Sequence, residues 1–317
     1  MLLCRKISYS TLIGSKVTVS KRNTLTGHND CVYTLERSQF PNVFFSGAGD
    51  GMVVSWDLDD PEKGQLIAKL PNSIYGLHYM IEQNLLLVGH NYDGIHVIDL
   101  EDKKELGSLN MTKAAIFDIK SSGSHAYIGD ASGALSKMDV NSLRVHKTVK
   151  ESEVSLRTIA INEYTNELAA GYSDNLIRVF EKSDLSLQHV IEGHTNSVFS
   201  LQYSPDGQLL LSAGRDAHIK AWDVKAGYLN LQDIAAHMYA INNIDYSPDG
   251  KHFVTCSMDK SIKVWDSHTF KLLKVIDKAR HAGHGTSVNK LLWSSHQDLL
   301  VSASDDRAIS IWYLEFT

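Results

Sequence analysis

Arg215-Asp216-Ala217-His218-Ile219-Lys220-Ala221-Trp222-Asp223 reads as a tight turn followed by a short alternating strand that ends in Trp-Asp. The same frame stands at Gly49-Asp50-Gly51-Met52-Val53-Val54-Ser55-Trp56-Asp57 and at Met258-Asp259-Lys260-Ser261-Ile262-Lys263-Val264-Trp265-Asp266. It recurs from Asp306 to Trp312-Tyr313, from Asp174 to Phe180-Glu181, from Ser132 to Met138-Asp139 and, one residue shorter, from Asp93 to Ile98-Asp99. The anchors Trp56, Ile98, Met138, Phe180, Trp222, Trp265 and Trp312 are 42, 40, 42, 42, 43 and 47 residues apart. A fixed period of this size means one supersecondary unit repeated seven times, each burying its faces against its neighbours.

Outward from the turn, a second register appears. Counting back from Asp50, Asp216, Asp259 and Asp306, the residue 22 earlier is His28, His194, His237 and His284, and the residue four earlier is Ser46, Ser212, Thr255 and Ser302. The residue six later is Trp in all four. If the loop into the first strand and the turn between the second and third lie at one end, His meets Asp, with the hydroxyl and the indole below. Ser, His and Asp in register also describe a catalytic relay. Four copies, each with its hydroxyl pinned beneath an imidazole and a Trp, read instead as structural fastening. Three repeats lack the set: Leu70 or Pro71, Asn110 and Ser152 stand at the histidine position, and Ile98, Met138 and Phe180 at the Trp position.

These motifs resemble the WD40 repeat family, whose signature is matched by Gly27-His28 with Trp56-Asp57, Gly193-His194 with Trp222-Asp223, Ala236-His237 with Trp265-Asp266, and Gly283-His284 with Trp312. The resemblance covers essentially the whole chain. It implies an all-β seven-bladed propeller of four-stranded antiparallel blades, forming one domain over residues 1–317. Ser204-Pro205-Asp206-Gly207 and Ser247-Pro248-Asp249-Gly250 fit hairpin turns between strands a and b. Because the chain ends at strand c of the seventh repeat, a strand from the region Ile7 to Lys21 is expected to supply its outer strand and close the ring.

Composition narrows the function classes. Hydrophobic residues make up 43% and charged residues 21% of the 317, which excludes disorder as the main theme. Lys plus Arg number 31 against 37 Asp plus Glu, and the net charge of −6 argues against a nucleic-acid footprint. No apolar run approaches the roughly 18 residues of a spanning helix, so no membrane partner is expected. Met1-Leu2-Leu3-Cys4-Arg5-Lys6 puts charge where an export signal needs an apolar core. Cys4, Cys31 and Cys256 are far apart and in no metal spacing, so they read as small residues in a reducing, cytoplasmic compartment.

Strand a carries the apolar pairs Val32 with Leu35, Ile74 with Leu77, Ile116 with Ile119, Leu156 with Ile159, Val198 with Leu201, Ile241 with Ile244 and Val288 with Leu291. Side chains on a strand alternate, so the residue after the first member of each pair points toward the channel mouth on the His-Asp face. Those residues are Tyr33, Tyr75, Phe117, Arg157, Phe199, Asn242 and Asn289. Their aromatic faces suit an inserted Arg, Lys or apolar anchor, and the family resemblance implies that this mouth docks peptide segments of partner proteins. The alternative is that the aromatics plug the channel neck and stack on one another. Tyr92, Tyr172, Arg215 and Met258 in the b–c turns are expected at the rim, and Lys278, Arg280 and His281 in the long loop before the seventh repeat add a basic element.

Two classes of function remain. One is a non-catalytic, monomeric interaction platform for a protein or peptide partner. The other is a propeller enzyme, hydrolase-like or lactonase-like, at a channel mouth. Such enzymes need carboxylates or histidines on the axis, and the inferred ring of seven has none. No cofactor or metal is expected: His281 and His284 lack a third ligand, and Gly47-Ala48-Gly49-Asp50-Gly51 precedes a strand, which removes the phosphate-binding physics of a dinucleotide loop. Asn110-Met111-Thr112 fits a glycosylation acceptor but carries little weight without export.

Overall fold

Each repeat supplies a sheet that cannot bury both faces alone, and the computed structural model, which describes residues 17–317, resolves this as seven four-stranded antiparallel sheets. Blades 1 to 6 span residues 32–69, 74–109, 116–150, 156–191, 198–235 and 241–276. Blade 7 takes Val288–Trp293, Leu299–Ser304 and Ile309–Phe316 as strands a to c and Val17–Leu25 as its outer strand. Val17 pairs with Phe316 and Leu25 with Ile309. The closing strand therefore lies later than the expected Ile7–Lys21 window, overlapping it only over Val17–Lys21; residues 7–16 fall outside the described residues. The shift follows from register, since Val17 and Leu25 are the two buried ends of the strand while its middle alternates between half-buried and exposed.

The core sits between blades. Strands b are buried nearly throughout, Leu85–His90 and Leu299–Ser304 along their whole length, while outer strands such as Arg144–Lys150 are almost wholly exposed. Every apolar pair of strand a is buried, and so are the anchors Trp56, Ile98, Met138, Phe180, Trp222, Trp265 and Trp312. The b–c turn needs a left-handed residue just after the aspartate position. Gly51 and Gly133 fill it at φ 75° and 89°. A Cβ there would meet the Leu70 and Ser152 carbonyl oxygens at 2.1 and 2.2 Å, so only glycine fits. Among the described residues, no helix is long and apolar enough to cross a membrane, and Cys31 and Cys256 are free thiols.

The four fastenings form as the register predicts. His194 Nδ1 faces Asp216 at 2.8 Å, His194 Nε2 faces the Ser212 hydroxyl at 2.7 Å, and Trp222 Nε1 donates to that hydroxyl at 2.8 Å. Because a carboxylate only accepts, Nδ1 carries the proton, so Ser212 donates to Nε2 and accepts from the indole. The same chain runs through His28, Ser46, Asp50 and Trp56, through His237, Thr255, Asp259 and Trp265, and through His284, Ser302, Asp306 and Trp312. Blade 4 keeps a remnant, with Ser152 donating to Asp174 at 2.7 Å, whereas in the turn between blades 2 and 3 Asn110 donates to Asp93 of blade 2.

Two outcomes follow for stability. Amide exchange is expected to be faster in blades 2 to 4 than in blades 5 to 7, and equal protection by native-state exchange would count against the fastening role. Burial lowers the pKa of His28 and His237, although Asp50 and Asp259 oppose it. The unfolded chain then takes up protons first below about pH 6.5, so stability is complete above that value and falls as pH drops. Burial alone would raise the Asp216 and Asp306 pKa, but the hydrogen bonds and charges of His194 and His284 hold them below the usual range, adding a further loss below about pH 4. Calorimetry should therefore give a Tm lower at pH 5.5 than at pH 7.5; a flat or rising Tm would contradict it.

Candidate functional site

In every blade, strands a and b pair with one residue left over. Val32 lies opposite Ala48 and Thr34 opposite Gly47, so Tyr33 has no partner of its own. The same irregularity leaves out Tyr75, Phe117, Arg157, Phe199, Asn242 and Asn289. A β-bulge re-aims the side chain it carries, and these seven project into one cavity of about 440 Å³ at the channel mouth. Asp118, Thr158 and Lys290 line the same cavity, because the bulge turns the following residue inward as well.

The mouth is divided. On one side Tyr33 and Tyr75 lie 4.6 Å apart between ring centroids, Tyr75 and Phe117 5.7 Å apart, and the Arg157 guanidinium sits 4.3 Å over Phe117 and 5.6 Å from Phe199. Two of the four aromatic faces at the mouth are thus engaged by the chain's own Arg157. Burial, and then the charge of Arg215, lower the Arg157 pKa; its Nε donates to Ser173 Oγ at 3.1 Å. On the other side the amides hold blades together: Asn242 donates to the Val288 carbonyl at 2.8 Å, and Asn289 donates to Asp305 at 2.8 Å and to the Val32 carbonyl at 3.0 Å.

Below the mouth, the channel carries the carboxylates and histidine that the ring of seven lacks. Asp118 accepts from the Ile119 and Ile159 amides at 3.0 and 2.8 Å, and Asp245 accepts from the Trp293 amide at 2.7 Å and from Arg37. Glu36 accepts from the Tyr79 amide at 3.3 Å and lies 3.3 Å from His78 Nδ1. Burial alone would raise the Glu36 pKa, but the hydrogen bond and charge of His78, then the charge of Lys120, hold it at about 2. Burial lowers the Lys290 pKa against the pull of Asp118. Each acid is thus supplied with donors, which suits a blade-to-blade tie better than a base or nucleophile. Thr158, Ser200 and Asn243 make the matching ties to the Leu201, Ile244 and Leu291 amides.

The rim is only partly as expected. Tyr92, Arg215 and Met258 are exposed, but Tyr172 is fully buried beneath the Arg178 guanidinium and belongs to the core between blades 3 and 4. It pairs directly with Leu156, which draws it inward. The short helix Lys278–His281, capped by Asp277, lies near the outermost strand, where Lys21 donates to the Ala282 carbonyl, so the basic loop stands at the periphery of the ring. Arg280 is paired with Asp277 at 2.6 Å. Two exposed apolar residues were missed: Met238 and Tyr239, 83% and 62% exposed, beside Met258. Their signal is in the sequence, for the other tetrad loops carry Asn29-Asp30, Thr195-Asn196 and Gly285-Thr286 at these positions.

The family model for the WD domain, G-beta repeat, matches residues 19–57, 185–223, 230–266 and 274–313. Among curated proteins, the chain is similar to WD repeat-containing protein srw1 of Schizosaccharomyces pombe, 25% identical over 67% of this chain and 39% of the relative. It is also similar to WD repeat-containing protein SL1-17 of Schistosoma mansoni, 23% identical over 64% of this chain and 54% of the relative. APC/C activator protein CDH1 of Saccharomyces cerevisiae is 24% identical over 63% of this chain and 36% of the relative. The matches thus span between about a third and about half of these relatives' lengths.

Asp118→Ala strips the Ile119 and Ile159 amides of their acceptor, and urea unfolding should show a loss of about 1–3 kcal/mol for each amide left without a partner. Asp118→Asn, which keeps an oxygen acceptor, should lose less. Unchanged stability in the alanine variant would remove the blade-tie role.

Proposed function

The chain belongs to the WD40 repeat family, and from that premise we propose that it is a non-catalytic interaction platform that docks a partner protein on the face bearing the channel mouth. The observation that carries this reading is the mouth cavity itself, lined by Tyr33, Tyr75, Phe117, Arg157 and Phe199, opening on the face that also exposes Met238, Tyr239 and Met258. Interface cores are enriched in aromatic residues, Met and Arg, and a rigid, concave, partly apolar mouth lets a partner bury a side chain at low ordering cost. Scattered exposed apolar residues are ordinary, but these stand together on one blade, where the Met258 amide donates to the Ala240 carbonyl at 3.0 Å and so holds turn and loop side by side. One relative is by its printed name an activator of a larger assembly, which fits a platform that acts by holding another protein.

The enzyme reading draws on Glu36, His78, Asp118 and Asp245 in the channel. The three carboxylates already accept from backbone amides, which favours their role as ties between blades. Partner capture decides the matter. Proteins retained by the wild-type chain should be lost or weakened with Tyr75→Ala and Phe199→Ala, both variants melting as the wild type does. If every partner survives both substitutions, the mouth is not the docking site.

A further inference from the structure

Blade 2 differs from the others at its b–c turn. Strand b, Leu85–His90, and strand c, Gly94–Asp99, pair with His90 opposite Gly94 and Val88 opposite His96. Opposite residues share a face, as do residues two apart on one strand, so His90 and His96 project from the same side of the hairpin. Their ring centroids lie 5.4 Å apart. The turn, with Tyr92 at φ 73° and Gly94 at φ 90°, brings Asp93 back toward them. One ligand atom from each of His90, Asp93 and His96 lies within 4.8 Å of the other two, the only such group of three among the described residues.

Two ring nitrogens in this group are buried without partners: His90 Nδ1 and His96 Nε2, on residues 1% and 9% exposed. Next to His90, the Asn91 Oδ1 is also buried without a partner, while the other ring nitrogens are engaged. Glu105 Oε1 lies 2.9 Å from His96 Nδ1, and since a carboxylate only accepts, it fixes the proton on Nδ1 and leaves Nε2 with a lone pair directed at no donor. Asn110 donates to Asp93 Oδ1 at 3.0 Å and so orients the carboxylate. His90 Nε2 accepts from the Asn72 amide at 3.1 Å. A buried polar nitrogen without a partner is costly, and here two of them converge on one acid.

We propose that His90 Nδ1, Asp93 and His96 Nε2 form a binding site for a divalent cation of the zinc class. Two imidazoles and one carboxylate are the borderline donors such an ion prefers, whereas magnesium and calcium call for oxygen ligands. Three protein ligands leave one position of a tetrahedral ion for water. Glu105 behind His96 and Asn110 behind Asp93 supply the outer partners that orient metal ligands, and the exposed Asp93 gives the ion a way in. Binding at His90 moves that ring's proton from Nδ1 to Nε2, with no net proton released. Nε2–H then faces the Asn72 amide, which must turn away, so Asn72 reports on occupancy.

The test is titration of zinc chloride into the full chain after chelator treatment and desalting, read by calorimetry and melting. One equivalent should bind and raise the Tm. Cobalt(II) should give the visible absorption of a four-coordinate ion, and the Asn72 amide resonance should shift as zinc is added. His96→Gln should abolish these signals. The surface variant Asp93→Asn, which leaves the core untouched, should weaken binding, and Glu105→Gln should weaken it about 10–100-fold. His281→Gln should keep the full equivalent. Absence of saturable uptake overturns the site, and so does uptake unchanged by both Asp93→Asn and His96→Gln, which would mark adventitious binding at other histidines.

Discussion

Seven innermost strands meet around the channel, and each presents an edge whose amides have no fifth strand to pair with. A buried amide without a partner costs as much as a broken hydrogen bond, so the ring exists only if these edges are satisfied. The solution runs from blade to blade. Asp118 serves blade 4, Thr158 blade 5, Ser200 blade 6, and Asn243 and Asp245 blade 7, while Glu36 reaches the Tyr79 amide of blade 2 and Asn289 ties blade 7 to blade 1. The channel is polar for this reason, and its carboxylates are ties before they are anything else.

The same requirement shapes the mouth. One extra residue in each inner strand lets the chain turn a side chain outward at the rim and the next one inward toward the neighbour. Where the extra residue is Asn, as at 242 and 289, it is spent on the ring itself; where it is aromatic, it is left to pack with its neighbours and with Arg157. The mouth is therefore asymmetric, apolar and cationic on one arc and occupied on the other, with the exposed methionines and tyrosine of blade 6 beside it.

The fastened and unfastened arcs also divide the molecule. Blades 5, 6, 7 and 1 carry complete Trp-hydroxyl-His-Asp chains, and blades 2 to 4 rely more on apolar packing of Ile98, Met138 and Phe180. Blade 2, released from that motif, holds His90 and His96 at its turn instead. The position that elsewhere locks a blade is there free to gather a different set of polar groups.

Period, blade number, ring closure and the four fastenings were legible in the residues, because each depends on spacing along one chain: a 42-residue repeat and a 22-residue His-to-Asp offset survive any arrangement of their surroundings. The seven mouth positions were legible too, through the strand-a frame. Alternation alone hid the layer beneath them, since a bulge breaks the period of two that the reading assumed; the three-residue spacing of pairs such as Val32 and Leu35, both buried, was its trace. Tyr172 looked like rim and is core, because burial depends on which blade lies next to which. Local spacing is a property of one strand and its turn, and the sequence determined it. The contacts between strands remote in the chain, Asp118 with Ile159 and Arg157 with Phe117 and Phe199, were decided only when the ring closed and set those surfaces against one another.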